Sequence, residues 1–319
     1  RSVINCNWVP NITGEFSGYT RILLDGCFGE SDTELKRLLL EIIGVTILGV
    51  STRMKAPKGI VFFGATASNG KSTILNLIRL LLPRTATCSI PPSDFEKEQS
   101  LATLVGKTAN LTDEISTYKS IASDKMKSLI TGDIVAAKIV YQPVFNFQPI
   151  ATHIFATNEL PNFKGGVDAG VERRMLVIPF TKTIPEEKRV TNLEQLIADE
   201  EASFLVSEAI NIGSKAYQRG TFDIPVSCNA ATEQWFKDSD PVREWYAEGE
   251  IGRHVGHKPK LLKELYKNFC EDIREFEDYK YVPSKRRFIA QIKALVETDL
   301  DWRIERHGIG IVICRNTLV

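Results

Sequence analysis

Residues 63–73 read Phe63-Gly64-Ala65-Thr66-Ala67-Ser68-Asn69-Gly70-Lys71-Ser72-Thr73 and form the most informative motif of the chain. The apolar run 60–63 in front of it is typical of a strand buried on both faces, and the helical pattern 74–82 behind it ends at Pro83. A glycine-containing turn between a buried strand and a helix presents backbone amides and the positive end of the helix dipole to an anion. The sequence therefore predicts a phosphate-binding loop. The alternative is an ordinary turn with a glycine and a chance lysine. The flanking strand and helix favour the phosphate-binding loop, because an ordinary turn does not require them.

The chemistry of this loop indicates ATP and Mg²⁺ as cofactors. Gly70 lets the backbone approach a phosphate, Lys71 would reach the β- and γ-phosphates, and the Ser72 hydroxyl would ligate Mg²⁺. The general pattern has its first glycine five residues before Gly70, where this chain has Ala65. The loop is therefore expected to be one residue longer than usual, and the role of Gly64 stays open. The residues predicted to surround the nucleotide are Gly64, Ser68, Asn69, Gly70, Lys71, Ser72 and Thr73.

Polar residues follow two further predicted strands. Asp113-Glu114 comes after the weak strand 105–111, and Asn158 follows the strand 152–156. Asp113 is predicted to hold Mg²⁺ through water, Glu114 to orient the attacking water, and Asn158 to contact both the γ-phosphate and that water. The alternative for the acidic pair is a solvated turn, and the alternative for Asn158 is a helix cap or a turn.

Arg173 and Arg174 stand directly before the last predicted strand, 175–180. Paired arginines at the start of a strand are usually surface residues. In this chain they are predicted to reach the nucleotide of a neighbouring subunit, where such an arginine raises the rate by about 10³ to 10⁵. The predicted catalytic residues are thus Lys71, Glu114, Asn158, Arg173 and Arg174, and the predicted metal ligands are Ser72 and Asp113.

Alternating short strands and helices predict an α/β fold with a parallel sheet, divided into three domains. Residues 1–56 are expected to form a small helical domain, in which Ser31 and Glu34 make the capping box of a helix. Residues 57–220 are expected to form the nucleotide-binding domain. Residues 221–319 contain two amphipathic helices and then a hairpin, which is the order of a winged-helix-like α+β domain.

Composition places the chain among well-packed globular proteins. Of its 319 residues, 43% are hydrophobic and 25% are charged, which excludes a disordered, collagen-like or coiled-coil chain. The 40 basic and 40 acidic residues give a formal net charge of zero, so a protein that coats DNA through global charge is not expected, whereas a local basic groove is allowed. The cysteines are scattered and the apolar runs are short, so we expect a cytoplasmic protein with reduced thiols and no membrane partner.

The motifs, taken in order, resemble those of superfamily 3 helicases, in particular the primase-helicases of poxviruses and satellite phages. The resemblance covers most of the chain. Its most specific part is the combination of Asn69-Gly70-Lys71-Ser72-Thr73 with Ala156-Thr157-Asn158-Glu159-Leu160-Pro161. The other matching motifs are Asp113-Glu114, Gly132-Asp133 and Arg173-Arg174 through Pro179-Phe180.

This resemblance implies an AAA+ ATPase that forms a ring of identical subunits, commonly a hexamer, around single-stranded DNA and unwinds the duplex. Segment 134–147 would hold a β-hairpin that projects into the channel. On it, Lys138 is the first candidate to contact the DNA backbone and Tyr141 is a weaker stacking candidate, with a solvated strand lysine as the alternative for Lys138. The resemblance also implies an upstream primase domain, which suits a chain that begins with Arg1.

Two other function classes stay open. One is an initiator protein, in which the C-terminal domain recognises an origin and ATP controls assembly rather than unwinding. The other is a small-molecule kinase, which would need an acceptor pocket and a lid, and the sequence gives no sign of either. The C-terminal part could form a second basic face for DNA, although Glu305 would weaken it. The residues of this face would be Lys285, Arg286, Arg287, Arg303 and Arg306.

Overall fold

The computed structural model describes residues 4–9, 14, 16–115, 121–164, 167–256, 258–275 and 282–316. The chain forms two compact units, the first made of Arg1–Asn162 with Asp168–Glu233 and the second of Phe163–Val167 with Gln234–Val319. The described strands are β1 (Gly59–Phe63), β2 (Thr87–Cys88), β3 (Ala109–Thr112), β4 (Ile121–Ala122), β5 (Val135–Lys138), β6 (Val144–Phe147), β7 (Thr152–Thr157), β8 (Phe163–Lys164), β9 (Met175–Pro179), β10 (Lys260–Leu261), β11 (Trp302–His307) and β12 (Gly310–Arg315).

The helices connect these strands and flank them at both ends of the chain. The described helices are α1 (Gly18–Phe28), α2 (Thr33–Leu48), α3 (Lys71–Leu81), α4 (Glu98–Ala102), α5 (Ser123–Thr131), α6 (Ala169–Glu172), α7 (Leu193–Glu200), α8 (Ala202–Arg219), α9 (Val226–Asp238), α10 (Pro241–Ala247), α11 (Glu250–Val255), α12 (Leu262–Glu275) and α13 (Lys285–Val296). None of the helices formed by the described residues combines the length and the apolarity needed to cross a membrane.

The first unit is built on a parallel sheet with the strand order β2-β3-β7-β1-β9. Strand β1, which lies between β7 and β9, carries Ile60, Val61 and Phe62, each at most 1% exposed, as expected for a strand covered on both faces. The predicted α/β fold with a parallel sheet is thereby confirmed. Because all five strands of this sheet are parallel, their carboxyl ends meet at one edge, and this edge carries the candidate site.

Strand β3 begins later than the sequence predicts. Val105 is exposed and precedes a left-handed Gly106, so this part of the predicted strand is a turn. Asn110, which interrupts the apolar pattern, is completely buried in β3. Its side-chain amide accepts a hydrogen bond from the Ile90 amide at 2.7 Å and donates one to the Ile90 carbonyl at 2.9 Å. The polar residue therefore fixes the segment that follows β2 to the sheet.

Helix α2 begins at a different cap from the one predicted. The expected capping box of Ser31 and Glu34 is wrong by one position, because the N-cap is Asp32. The Asp32 carboxylate accepts a hydrogen bond from the Leu35 amide at 3.0 Å. Aspartate and serine cap helices equally well, so sequence alone did not separate these neighbours.

The helical stretch after β9 is divided at Glu201 into α7 and α8. The Glu201 carboxylate accepts hydrogen bonds from the backbone amides of Tyr19 at 2.8 Å and Thr20 at 2.7 Å. These amides belong to the first turn of α1, whose donors have no partner within the helix. Glu201, at which the helical stretch breaks, therefore caps α1, which is far away in the sequence.

Helices α2 and α8 are joined by a close backbone contact and an ion pair. A Cβ atom on Gly44 would lie 1.8 Å from the Ala209 carbonyl oxygen, so only glycine permits this approach. The buried carboxylate of Glu41 accepts hydrogen bonds from Arg219 Nη2 at 2.8 and 3.0 Å. Residues of α2 share one hydrophobic core with the sheet. The first unit thus includes the predicted helical segment, and the three-part division of the chain stays a prediction.

The second unit, taken by itself, has the order α11, β10, α12, α13, β11, β12, which is the winged-helix order. Strand β12 pairs antiparallel with both β10 and β11. Ser284 caps α13 by accepting a hydrogen bond from the Arg287 amide at 3.4 Å. Around these elements lies an aromatic core, in which the ring centroids of Phe269 and Phe288 are 4.7 Å apart.

Candidate functional site

The loop between β1 and α3 has the conformation that an anion-binding loop requires. Ser68 (φ +58°) and Gly70 (φ +86°) are both left-handed, which reverses the chain just before the first turn of α3. Asn69 between them is buried and donates a hydrogen bond from Nδ2 to the Thr66 carbonyl at 2.6 Å. The loop is thus held by its own side chains, with residues 65–68 exposed.

Lys71 is the most constrained side chain of the site. It is only 6% exposed, and its ammonium donates hydrogen bonds to the Gly64 carbonyl, Asn69 Oδ1 and Asn158 Oδ1, each at 2.9 Å. Burial lowers the pKa of this ammonium, while the charge of Asp113 acts in the opposite direction. Three neutral acceptors therefore hold a positive charge at the point where the loop would receive a phosphate.

Gly64 has a structural role that the sequence left open. A Cβ atom there would lie 2.4 Å from Asn69 Nδ2 and 2.6 Å from the Phe180 carbonyl oxygen. Any other residue would push these groups apart, and the Gly64 carbonyl also binds the Lys71 ammonium. The glycine is needed for close packing at the root of the loop, in a loop one residue longer than the general pattern.

The acidic pair and Asn158 lie at the same edge of the sheet as the loop. Strand β7 lies between β1 and β3, so Asn158, directly after β7, stands between the loop and the pair Asp113-Glu114. The amide of Ile115 donates to the Ala156 carbonyl at 3.2 Å, which keeps the chain after β3 against β7. Glu114 has φ +53°, which is uncommon for a residue with a side chain.

The oxygen donors predicted for Mg²⁺ are of the right kind. Ser72 is exposed in the first turn of α3, and Asp113 is half-buried at the end of β3. Hydroxyl and carboxylate oxygens are the ligands that Mg²⁺ prefers, with water completing the octahedron. These two residues could therefore hold the ion, and Thr73, half-buried beside Ser72, completes the predicted nucleotide-binding set.

Arg173 and Arg174 lie at the opposite edge of the sheet. The Gly59 amide donates to the Arg174 carbonyl at 2.7 Å, and Lys58 Nζ donates to the Arg173 carbonyl at 2.7 Å. Both arginines thus flank the beginning of β1, whereas the loop follows its end. At about 3.3 Å per residue the strand separates them by roughly 13 Å. The structure does not bring the arginines to the loop of the same chain.

Lys138 and Tyr141 lie on the predicted hairpin, which β5 and β6 form by antiparallel pairing. Lys138 is exposed and pairs with Val144, so it occupies the last position before the turn. Tyr141 is in the turn, left-handed at φ +64° and fully exposed. Val140 beside it is 56% exposed. The hairpin tip therefore presents one positive charge and a set of unburied apolar side chains.

A cavity beside the loop was not predicted from the sequence. It has a volume of about 820 Å³ and is lined by residues of α1 and of the segment after β9. Ile184 in that segment lines the cavity and donates its amide to the Ser68 carbonyl at 2.8 Å. Thr183 Oγ1 lies 3.1 Å from Thr66 Oγ1. No motif marks these residues, because they meet the loop only through the tertiary fold.

The basic residues of the C-terminal unit are partly engaged with other groups. Arg303 Nε donates to Glu305 Oε1 at 2.7 Å, as the sequence suggested, and Arg287 Nη2 donates to the Val167 carbonyl at 2.5 Å. Lys285 and Arg286 are exposed at the start of α13. A basic face formed by these residues stays a prediction.

Comparison with known proteins shows the fold. The structure of the NrS-1 C-terminal region without ligand matches over 97% of this chain and 77% of that chain, with a TM-score of 0.59 and 15% identity. Another form of the same region matches over 97% and 78%, with a TM-score of 0.54 and 14% identity. At such identities the similarity establishes a shared fold and nothing further. The chain has the fold of the NrS-1 C-terminal region.

Three other comparisons give less information about the fold and the function. A family model described as a family of unknown function (DUF5906) matches residues 62–174, which include the loop, the acidic pair, Asn158 and both arginines. The structure of JCV helicase with a bound small molecule matches over 72% of this chain and 71% of that chain, at 10% identity and a TM-score of 0.33, which is too low to establish a shared fold. No curated protein matches the sequence.

Proposed function

We propose that this chain is the motor of an ATP-dependent DNA helicase that assembles into a ring, commonly of six copies, and moves along single-stranded DNA. We further propose that it is the C-terminal part of a primase-helicase of a virus, phage or mobile element, acting in the cytoplasm. The superfamily 3 motifs support this assignment, and so does the fold shared with the NrS-1 C-terminal region.

The observation that carries the proposal is the separation of the predicted catalytic groups between two edges of one sheet. Lys71, Asn158 and the acidic pair lie where β1, β7 and β3 end, and the arginines lie where β1 and β9 begin. A single copy therefore cannot assemble the whole set around one nucleotide. Two copies can, if the arginine edge of one meets the loop edge of the other.

In the proposed reaction, water attacks the γ-phosphorus of ATP and the bond to the β-γ bridging oxygen breaks. Glu114 orients this water and accepts its proton, and Asn158 contacts the γ-phosphate. Lys71 and an arginine of a second copy stabilise the negative charge on the phosphoryl oxygens. Mg²⁺, which Ser72 and Asp113 would hold, supplies further positive charge when bound.

The nucleoside would lie in the cavity beside the loop. The contacts of Ile184 with Ser68 and of Thr183 with Thr66 bring the cavity wall to the loop that would bind the phosphates. The volume of about 820 Å³ is sufficient for a nucleotide-sized ligand. This wall includes Lys182 and Asp25, which could contact polar groups of the base or ribose.

The hairpin of β5 and β6 is the proposed contact with DNA. Lys138 offers a charge for one phosphate, and the fully exposed Tyr141 offers a flat surface on which a base can stack. A ring would bring one such hairpin from each copy into the same channel. Local positive charge is then sufficient, and the zero formal net charge of the chain is no obstacle.

A second candidate is an initiator protein whose ATPase governs assembly on DNA. The winged-helix order of the second unit favours it, because this arrangement is a common DNA-binding module. The two candidates differ in whether turnover is needed after the protein has bound DNA.

The decisive experiment measures ATP hydrolysis per chain against protein concentration, with and without a single-stranded oligonucleotide, together with the mass of the assembly. A motor of the proposed kind should hydrolyse ATP faster as it assembles and faster again with DNA, and it should displace a strand from a forked duplex. A rate per chain that is independent of protein concentration and of every nucleic acid would contradict the proposal.

A further inference from the structure

At the arginine edge of the first unit, an ion pair that no motif contains fixes the turn leading to Arg174. Lys127 Nζ on α5 lies 2.8 Å from Asp168 Oδ2. The other oxygen of the same carboxylate, Oδ1, accepts the Val171 amide at 2.8 Å and so caps the four-residue helix α6. One carboxylate thus holds both the lysine and the turn.

Arg174 is held by the same turn. Its Nη1 donates to the Gly170 carbonyl at 2.9 Å, whereas its buried Nε has no hydrogen-bond partner. A Cβ atom on Gly170 would lie 2.9 Å from both Asp168 Oδ1 and Lys127 Cδ, and 3.5 Å from Arg174 Nη1. The lysine stem, the carboxylate and the guanidinium therefore surround one glycine.

The lysine belongs to the element that carries the hairpin. Helix α5 ends at Thr131, and β5 begins at Val135 after a left-handed Gly132. A Cβ on Gly132 would lie 2.8 Å from Thr52 Cβ and 3.1 Å from the Pro149 carbonyl, so this junction is tightly packed. Lys127 and the hairpin are thus joined through the short connection 132–134, which is closely packed at its first residue.

We propose that Lys127 and Asp168 form a positioning pair, which fixes the turn that presents Arg174 to a second copy and links this turn to the hairpin that contacts DNA. This inference rests on the proposed function, in which Arg173 or Arg174 acts on a neighbour's nucleotide, and it assigns that role to Arg174. The pair lies at the surface, with Asp168 48% exposed, so it contributes little to folding stability. Its effect is on the placement of the arginine.

Two substitutions test the pair without removing the helix cap. Asp168→Asn keeps a good N-cap and removes the charge, and Lys127→Met keeps the aliphatic stem. The matched control is Asp124→Asn, because Asp124 also lies 2.8 Å from Lys127 Nζ but is 96% exposed and belongs to α5 itself. Cooperative melting of each variant verifies that it folds.

Each of the two test variants should lower kcat for DNA-stimulated ATP hydrolysis by about tenfold or more, since a small misplacement of a catalytic group has effects of this size. The KM for ATP should be unchanged, because the loop of the same copy is intact. The double variant should be no slower than the slower single variant. The Asp124→Asn control should retain the wild-type kcat.

Mixing experiments identify where the defect acts. Asp168→Asn chains mixed with Lys71→Ala chains should regain activity, since an intact loop then meets an intact arginine turn. No fall in kcat, a raised KM instead, or a fall without recovery on mixing would overturn the positioning pair.

The same mixing test on Arg174→Ala separates the two proposals. If Arg174→Ala recovers with Lys71→Ala chains but Asp168→Asn does not, only the positioning pair is wrong. If Arg174→Ala itself does not recover while assembly is normal, the proposed action of the arginine on a second copy is wrong.

Discussion

Lys71 Nζ lies 2.9 Å from Asn158 Oδ1 and thereby joins the loop after β1 to the end of β7. A γ-phosphate that approaches the ammonium has to replace this amide oxygen or share the lysine with it. Under the proposed function, Asn158 would therefore hold the lysine before the nucleotide binds and contact the phosphate afterwards. The two residues are 87 positions apart, and the strand order explains their contact.

The first prediction concerns this contact. Asn158→Asp would place a carboxylate beside the ammonium, and the resulting ion pair would compete with the phosphates for Lys71. Asn158→Ala would only remove one of three acceptors. We expect the Asp variant to bind ATP more weakly than the Ala variant, by about tenfold, in a titration with a fluorescent nucleotide. Equal affinities would show that the lysine does not leave Asn158 for the phosphate.

The second prediction separates a motor from an assembly switch. Glu114→Gln keeps the size of the side chain and removes the proton acceptor, so kcat should fall by about 10² to 10⁴ while ATP affinity is retained. Strand displacement should stop with it. The control is Glu159→Gln at another exposed carboxylate of the same edge. If the wild type displaces no strand and Glu114→Gln still assembles on DNA with ATP as the wild type does, turnover is not needed and the initiator function is favoured.

The third prediction concerns the hairpin. Tyr141→Ala should weaken the binding of a labelled single-stranded oligonucleotide, since the stacking of one base on an aromatic ring contributes about 1–3 kcal/mol. Lys138→Ala should weaken binding and also reduce its dependence on salt, because it removes a phosphate contact. Lys97→Ala, which removes an exposed lysine paired with Asp94, is the control for general charge. Fluorescence anisotropy at several salt concentrations distinguishes these effects.

The fourth prediction concerns the dependence of stability on pH. His153 is completely buried between Phe95 and Phe155, and burial lowers its pKa from 6.5 to about 4. Between these values the unfolded chain binds a proton that the folded chain does not bind, so the free energy of unfolding falls as the pH falls from 6.5 to 4. At about 1.4 kcal/mol per pKa unit, the loss amounts to roughly 3 kcal/mol.

Urea denaturation across this pH range measures the effect. The control is His153→Gln, which does not titrate but still offers an acceptor to Asn110, whose Nδ2 lies 3.2 Å from the imidazole Nδ1. The loss of stability with falling pH should be smaller in this variant by about the stated amount. An identical pH dependence in both proteins would mean that another group titrates.

The central part of the fold was predictable because its signals are local. An apolar strand, a turn with Gly70 and Lys71, and a helix follow one another within the chain, and each element agrees with the next. Strand ends marked by Asp113 and Asn158 were predictable for the same reason. Their meeting at one edge follows from the parallel order of the strands.

Apart from the α2 cap, where two neighbouring residues cap equally well, the parts that were wrong or missed depend mainly on contacts between distant residues. Asn110 looked like an interruption of β3, but its amide binds the backbone of Ile90, which no periodicity reveals. Asp168 and Lys127 are 41 residues apart and form no pattern in sequence. Side chains that partner across the fold are specified by the tertiary structure, so a single sequence does not indicate them.

The position of the arginines and the loop at opposite ends of β1 has a consequence for symmetry. Under the proposed function, copies have to join head to tail, because two copies related by a two-fold axis would present like ends to each other and complete neither site. A linear array always leaves one loop and one arginine turn without a counterpart. When the array closes into a ring, the unpaired loop meets the unpaired arginine turn. The final contact therefore completes one more site although no copy is added.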